Sequence, residues 1–446
     1  MRSLLGRFHR PMSRGAMGDM LTMNSLGDGS TLSLDFTTMG GVLDPRLTFT
    51  RASTVATYVN SSGYVATATT NEPRFDYSPT NIGEPRGLLV EAPATNLFTR
   101  SNAMDQSPWF ESANITRTTF TGGNGPDNVS NSGSKVSAVN IASGNTFYYN
   151  GTTTVSGTTY TYSVWAKAAG ANWIWIHFFY FGVYHGAFFD LSGDGALGNT
   201  TGTIVAGSNT ITKYPNGWFR LTISHTATYT IFYTGQCPAT SNGTGYVSIL
   251  GQSPNGVLLY GAQVEVGSSA SSYIPTGASQ VTRAVDTAII AAGTNFSSWY
   301  TGNTSGTFVA NWYGSVSSTT ARSVMATSDQ TTKHLHMYQT PSALTLRLAD
   351  FGAAATVTTG NNLTANALTK GAFSYASTAT SLCLNGGTVA TGTLAFTVAP
   401  TWLSIGGPST NGTSITDTTV MLNNSIRTIK YFPVRLSDAK IKEITT

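Results

Sequence analysis

Along most of the chain, apolar and polar positions alternate with a period of two, in short runs closed by Gly, Asn or Pro. Residues 98–290 carry TTYTYSVWAKAA, WIWIHFFYF, GAFFDLSG, NGWFRLTISHTA, YTIFYTG and GVLLYGAQVEVG, separated by turn residues. Residues 291–446 continue with GTFVANWYGSV, ARSVMATSD, ALTLRLAD and SIRTIKYFP. No stretch sustains the period of an amphipathic helix. The pattern predicts an all-β chain of consecutive antiparallel β-sandwich (jelly-roll) modules.

Three local signals refine this reading. VATYVNSSGYVATAT predicts a hairpin, because alternating strands flank Asn60-Ser61-Ser62-Gly63. RLSDAKIKEI predicts one short C-terminal helix: Ser437 suits the N-cap, Leu436 and Ile441 hold hydrophobic-staple positions, and Asp438 favours the helix start. Pro73, Pro79, Pro85 and Pro93 exclude a long helix or a regular sheet from the segment between Asn71 and Phe98, and predict an irregular packed connector. The chain accordingly divides into an arm (1–30), a small N-terminal β domain with its connector (31–97), a jelly roll (98–290) and a second sandwich (291–446).

NWIWIHFFYFGVYHGAFFD, residues 172–190, breaks the alternation. As one strand from Trp173 to Phe181, it carries Trp173, Trp175, His177, Phe179 and Phe181 on one face, and Ile174, Ile176, Phe178 and Tyr180 on the other. Both faces are apolar, whereas a strand with one wet face alternates. Two readings stand. One face packs the core and the other a neighbouring domain or subunit, or the second face is an aromatic platform that stacks on sugar rings. For such a platform the candidates are Trp173, Trp175 and Tyr180, with Tyr184 and His185 in the adjoining loop.

Composition narrows the function classes. Only 10% of residues are charged, so solubility rests on Thr, Ser, Asn and Gly. The net charge is +4, and Arg2, Arg7, Arg10 and Arg14 against Asp19 place +3 of it in the first twenty residues. The rest is close to neutral, which leaves no basic face for nucleic acid. The opening residues lack the apolar core of a secretory signal and read as a basic arm that docks on another protein. No apolar run is long enough to cross a membrane as a helix, so membrane insertion is not expected. Cys237 and Cys383 read as free thiols.

Other clusters favour structure over chemistry. Glu72, Arg74, Asp76, Glu84, Arg86 and Glu91 interleave both signs, which predicts ion pairs rather than the two facing acids of a glycosidase. Asp190, Ser192 and Asp194 read as a Gly-rich turn rather than a calcium loop. His334 and His336 share a strand face but supply only two ligands for a metal. No catalytic residue, metal or cofactor is expected.

Specific stretches resemble known proteins. LDPRLTFTRASTVATYVNSSGYVATATTNEPRFDYSP followed by EPRGLLVEAPATNLFTRS resembles the front of a family of phage virion proteins. YTYSVWAKA, FFDLSG, YPNGWFRLTIS and LLYGAQVEVGSSASSYIPTGASQVTRAVD resemble the carbohydrate-binding-module-like jelly roll of that family. The block ending IRTIKYFPVRLSDAKIKEIT resembles a laminin-G-like, concanavalin-A-like sandwich. The resemblance runs from about residue 42 to the end. It implies a non-enzymatic fibre or appendage subunit of a bacteriophage, made in the host cytoplasm and located in the virion. The arm would contact other virion proteins (tail, portal or neck, or capsid), the β-modules host surface glycan, and the assembly would be a homotrimer. A capsid-decorating or neck-attached protein without sugar binding is the alternative, and a glycan depolymerase the second.

Overall fold

The computed structural model describes residues 27–38, 41–111, 115–138, 148–239, 241–243, 256–301, 305–314, 321–328, 334–339, 346–350, 356–359, 363–364, 366–376, 379–393 and 400–446. The chain is nearly all β, built from antiparallel sheets, with one short C-terminal helix at Asp438–Thr445. The Ser437 hydroxyl accepts from the Lys440 N–H at 3.2 Å, and Ile441 is buried, so this helix starts as its sequence signals.

Two large sheets enclose the core at the C-terminal end of the chain. One runs Ala390–Gly392, Ala379–Leu384, Leu368–Ala376, Ser305–Tyr313, Asn424–Phe432, Pro85–Val90 and Phe75–Tyr77, with Leu32–Asp35 also paired to Asn424–Phe432. The other runs Thr48–Thr50, Thr287–Ile290, Trp402–Ile405, Arg322–Ser328, His334–Gln339, Leu346–Asp350 and Thr356–Thr358. Trp312, Phe373, Tyr431, Met325 and Leu403 fill the space between them.

This arrangement corrects the expected division of the chain. Residues 31–97 do not form a small domain of their own. Leu32 pairs with Tyr431 and Leu88 with Ile426, and Leu32, Leu34, Phe49, Leu88 and Val90 enter the C-terminal core. A four-residue strand such as Leu32–Asp35 cannot bury its leucines alone, so it completes a larger sheet. The prolines are accommodated because Pro85 opens its strand and the ladder shifts register between Asp76 and Tyr77. Thr287–Ile290 likewise belongs to the C-terminal sandwich, through Ile289 opposite Ser404.

The hairpin Ala56–Val59 with Val65–Ala68 forms as its sequence predicts. The Asn60 carboxamide accepts from the Ser62 and Tyr64 N–H groups, and Gly63 takes φ +82°. Val65 packs against the middle sandwich, with Phe120, Trp165, Trp218 and Tyr260.

That middle sandwich also has two sheets. One runs Thr210–Lys213, Phe219–Thr226, Thr159–Ala169, Gly256–Val266, Ser134–Ala138 and Ile115–Thr119. The other runs Ala196–Thr201, Val183–Asp190, Trp173–Tyr180, Ile231–Ala239, Tyr148–Thr153 and Phe110–Glu111. Tyr162, Ile174, Ile176, Phe178, Leu221 and Val264 meet between them.

A buried ion cluster links the segments. Arg74 contacts Glu91 at 2.7 Å and also pairs with Asp286, while Arg51 reaches Asp286 at 3.4 Å and Arg283 reaches Glu91 at 3.2 Å. Burial works to raise the Glu91 carboxyl, but Arg283 and Arg74 outweigh it and hold its pKa at about 2. The Ser272 N–H and hydroxyl also donate to Glu91, at 2.7 and 2.6 Å. Within residues 72–91, Arg74 thus pairs with Glu91 and Arg86 lies 4.0 Å from Asp76, as the interleaving predicts, while Glu72 and Glu84 accept from Thr69 and Asn81 instead.

Candidate functional site

The strand Trp173–Tyr180 lies between Val183–Asp190 and Ile231–Ala239, in the middle of its sheet. Its even positions, Ile174, Ile176, Phe178 and Tyr180, face the sandwich core. Its odd positions face outward, where the register stacks aromatic residues in rows. Phe179 stands opposite Tyr184 and Tyr233, and Trp175 opposite Phe188 and Cys237. Ring centroids lie 5.3 Å apart for Phe179–Tyr184, 5.0 Å for Phe179–Tyr233, 5.6 Å for Tyr149–Tyr233 and 5.6 Å for Phe110–Tyr149. The row therefore crosses five strands, and Phe110 at its end is 51% exposed.

Glycines make room for the rings. His177 faces Gly186 on one side and Gly235 on the other. A Cβ at Gly235 would sit 2.5 Å from His177 Nε2, so the imidazole occupies the space a side chain would take. His177 stacks on Trp175 at 4.1 Å, and burial holds its pKa down at about 3, which keeps the ring neutral. Burial also pushes the Cys237 thiol up to about 12, which removes it as a nucleophile.

At the first residue of the strand this face meets a polar pocket of 240 Å³. Half-buried Trp173 lines it together with Gly170, Ala171, Asn172, Asp190, Ser192 and Ala239. Asp190 pairs with Trp173 across the ladder. Its Oδ1 accepts from the Ser192 N–H at 2.9 Å and the Ser192 hydroxyl at 2.7 Å, which fixes the carboxylate at the rim. Asp194 turns away to Lys213 at 2.8 Å. DLSGDG is thus a hydrogen-bonded turn that supplies one pocket carboxylate.

The five platform candidates separate. Trp173, Trp175 and Tyr184 lie on the outer face together. Trp175, however, is only 2% exposed, covered to the point where it cannot offer a ring to a ligand. Tyr180 and His185 are not on this face. Phe178 pairs with His185, so His185 points inward and stacks on His225 at 4.1 Å. The Thr203 N–H donates to His185 Nδ1 at 2.8 Å, and the Tyr180 hydroxyl lies 3.1 Å from Nε2. The hairpin is tight, so a residue read as lying in a loop falls within the strand Val183–Asp190, where the pleat decides its direction.

Tyr149, Tyr233, Phe110 and Asp190 belong to the site without having been singled out as part of it. The alternation in YTIFYTG places Tyr233 opposite in face to Phe232, yet nothing in the sequence says which strand lies beside Trp173–Tyr180. The anchor candidates Arg2, Arg7, Arg10 and Arg14 lie outside the described residues. His336 is buried, and its Nε2 lies 2.8 Å from the Ser323 hydroxyl.

No family model matches the chain, and no curated protein matches it either. Among solved structures it is similar to the CBM40 module of a Ruminococcus gnavus IT-sialidase bound to α2,3-sialyllactose, at 16% identity over 35% of this chain and 90% of that one, with a TM-score of 0.30. It is similar to a heptameric SAP-like pentraxin from Limulus polyphemus at 10% identity, over 32% of this chain and 70% of that one, with a TM-score of 0.24. The LG1-3 region of the laminin α2 chain matches at 9% identity over 66% of each chain, with a TM-score of 0.24. At these scores the likenesses do not bear on what the chain binds.

Proposed function

We propose that this chain is a non-enzymatic glycan-binding protein whose sugar site is the Trp173 pocket, with the aromatic row at Phe179 farther along the same face. The observation that carries the reading is the meeting of a half-buried tryptophan with a fixed carboxylate in an open pocket. An indole face packs the C–H patch of a pyranose, while Asp190 and Asn172 accept and donate to its hydroxyls. Tyr184, Phe179 and Tyr233 would carry further sugar units along the row. Asp190 is the one carboxylate lining the pocket among the described residues, and glycoside hydrolysis by paired acids needs a second across the scissile bond. Binding is therefore favoured over depolymerisation.

The resemblance of residues 42–446 to phage virion proteins supports a place for this site on a virion appendage, with the arm at 1–30 as the anchor and cyclic assembly multiplying weak sugar contacts. A second reading rests on the half-exposed Phe110 at the end of the aromatic row: the same face packs a neighbouring subunit, and the protein is a structural element without sugar binding.

Titration calorimetry of the full chain against neutral and acidic oligosaccharides tests the proposal. A bound oligosaccharide whose affinity falls roughly tenfold or more in Trp173→Ala and in Asp190→Ala is the expected result. Equal affinity in both variants would remove the pocket from the argument. New reducing ends on incubation with a host polysaccharide would replace binding by hydrolysis.

A further inference from the structure

The hairpin at the far end of the strand from the pocket breaks two rules at once. Its two turn residues, Phe181 and Gly182, both take positive φ, at +44° and +81°. A two-residue turn of this kind favours Asn or Gly at its first position, because a bulky side chain is strained there. Phe181 is also 82% exposed, so no burial offsets the strain. A residue that satisfies neither the backbone nor the core points to a function outside the fold.

Its neighbours extend the feature. Tyr229 lies 5.4 Å from Phe181 and 4.5 Å from Tyr180, ring to ring, and is 46% exposed. The turn at 154–157 is tied to the same end, since the Thr154 hydroxyl donates to the Tyr229 carbonyl at 2.6 Å and the Gly157 N–H to that of Ala227 at 2.7 Å. It presents Val155, 65% exposed. Val183, opposite Tyr180 in the ladder, and Ile231, at the start of the next strand, are exposed as well. No Asp, Glu, Lys or Arg occurs in residues 150–166, 174–189 or 221–264, which supply all three strand ends. The result is a protruding apolar tip, rimmed by Thr and Ser and free of formal charge.

We propose that this tip is a membrane-contacting surface, in which Phe181, with Tyr229 and Val155 beside it, wedges into the headgroup layer of an uncharged bilayer surface. A few side chains on convex turns fall short of the roughly 800 Å² per partner that a stable protein interface buries. Interfacial lipid contact needs no such area, because each apolar side chain enters a deformable layer independently and aromatic residues suit its depth. The missing cations exclude anionic headgroups as the source of attraction. The contact lies on the surface and does not span the bilayer; no helix among the described residues is long and apolar enough to cross one.

Flotation of the full chain with phosphatidylcholine vesicles tests this directly. The wild-type protein floats, and the bound fraction is the same at low and high salt. Phe181→Asn suits the positive φ, so its thermal midpoint is no lower, while its partition onto vesicles falls roughly tenfold. Trp173→Ala floats as wild type does, which separates this surface from the sugar pocket. Absence of wild-type flotation overturns the proposal, as does normal flotation of Phe181→Asn or binding lost at high salt. Self-association without lipid that Phe181→Asn abolishes would assign the tip to a second copy of the chain instead.

Discussion

Asp286 lies between Arg51 and Arg74, and all three side chains are closed to solvent. Its carboxylate also accepts from the Glu91 N–H at 2.9 Å. Burying charges costs several kcal/mol per ion, which only mutual pairing offsets. Removing one partner leaves the others uncompensated. Asp286→Ala is therefore expected to destabilise the protein by about 3–5 kcal/mol, read from urea unfolding. The residues themselves were legible early: interleaved charges in a charge-poor chain announce ion pairs. The partner Asp286, some two hundred positions away, was not, because sequence spacing carries no information on what a buried arginine meets across a junction.

Individual strands show how far a pattern reaches. Period-two alternation assigned both faces of Trp173–Tyr180, and the structure keeps every one of those eight positions on its assigned side. It placed Phe181 in the strand, whereas the chain turns there. The same pleat carries His185 inward from Val183–Asp190 to meet His225 from Phe219–Thr226, so a stacked imidazole pair bridges the two sheets. Burial, then the neighbouring His225, holds the His185 pKa down at about 4, and burial lowers that of His225. The folded state thus binds fewer protons than the unfolded chain. The stability from these groups is complete above the ordinary value of 6.5 and is lost as pH falls toward 4. Amide exchange in Val183–Asp190 and Phe219–Thr226 is expected to accelerate over that window, and less so in His225→Gln. Asp76 moves oppositely, its carboxyl raised to about 6 by burial, but it lies on the other sandwich.

For the whole molecule, the decisive fact is that both ends of the chain build one core. Asn424–Phe432 takes Leu32–Asp35 and Pro85–Val90 as neighbours, and Trp402–Ile405 takes Thr287–Ile290. A fragment of residues 291–446 would expose the unpaired edges of these strands and the apolar surface that Leu32, Leu34, Leu88 and Val90 cover. That fragment is expected to aggregate or remain unfolded by circular dichroism. A chain with the middle sandwich cut out and residues 27–92 joined to 283–446, which keeps Arg283 on Glu91, is expected to give the cooperative melt of a folded domain. Folding of the 291–446 fragment alone would show that the N-terminal strands are accessory.

The all-β class, the Asn60–Gly63 hairpin, the Ser437 helix start and the faces of the aromatic strand are all written in local sequence. Each follows from forces acting within a few residues: side-chain period, turn chemistry and capping. Tertiary contacts decided that Leu32–Asp35, Thr48–Thr50, Phe75–Tyr77 and Pro85–Val90 complete the C-terminal sandwich, that Trp175 is covered while Trp173 borders a pocket, and that Tyr149 and Tyr233 join the row. Those outcomes depend on which strands become neighbours and on which surfaces remain open once every apolar face has found cover, and both are set by contacts between residues far apart in the chain.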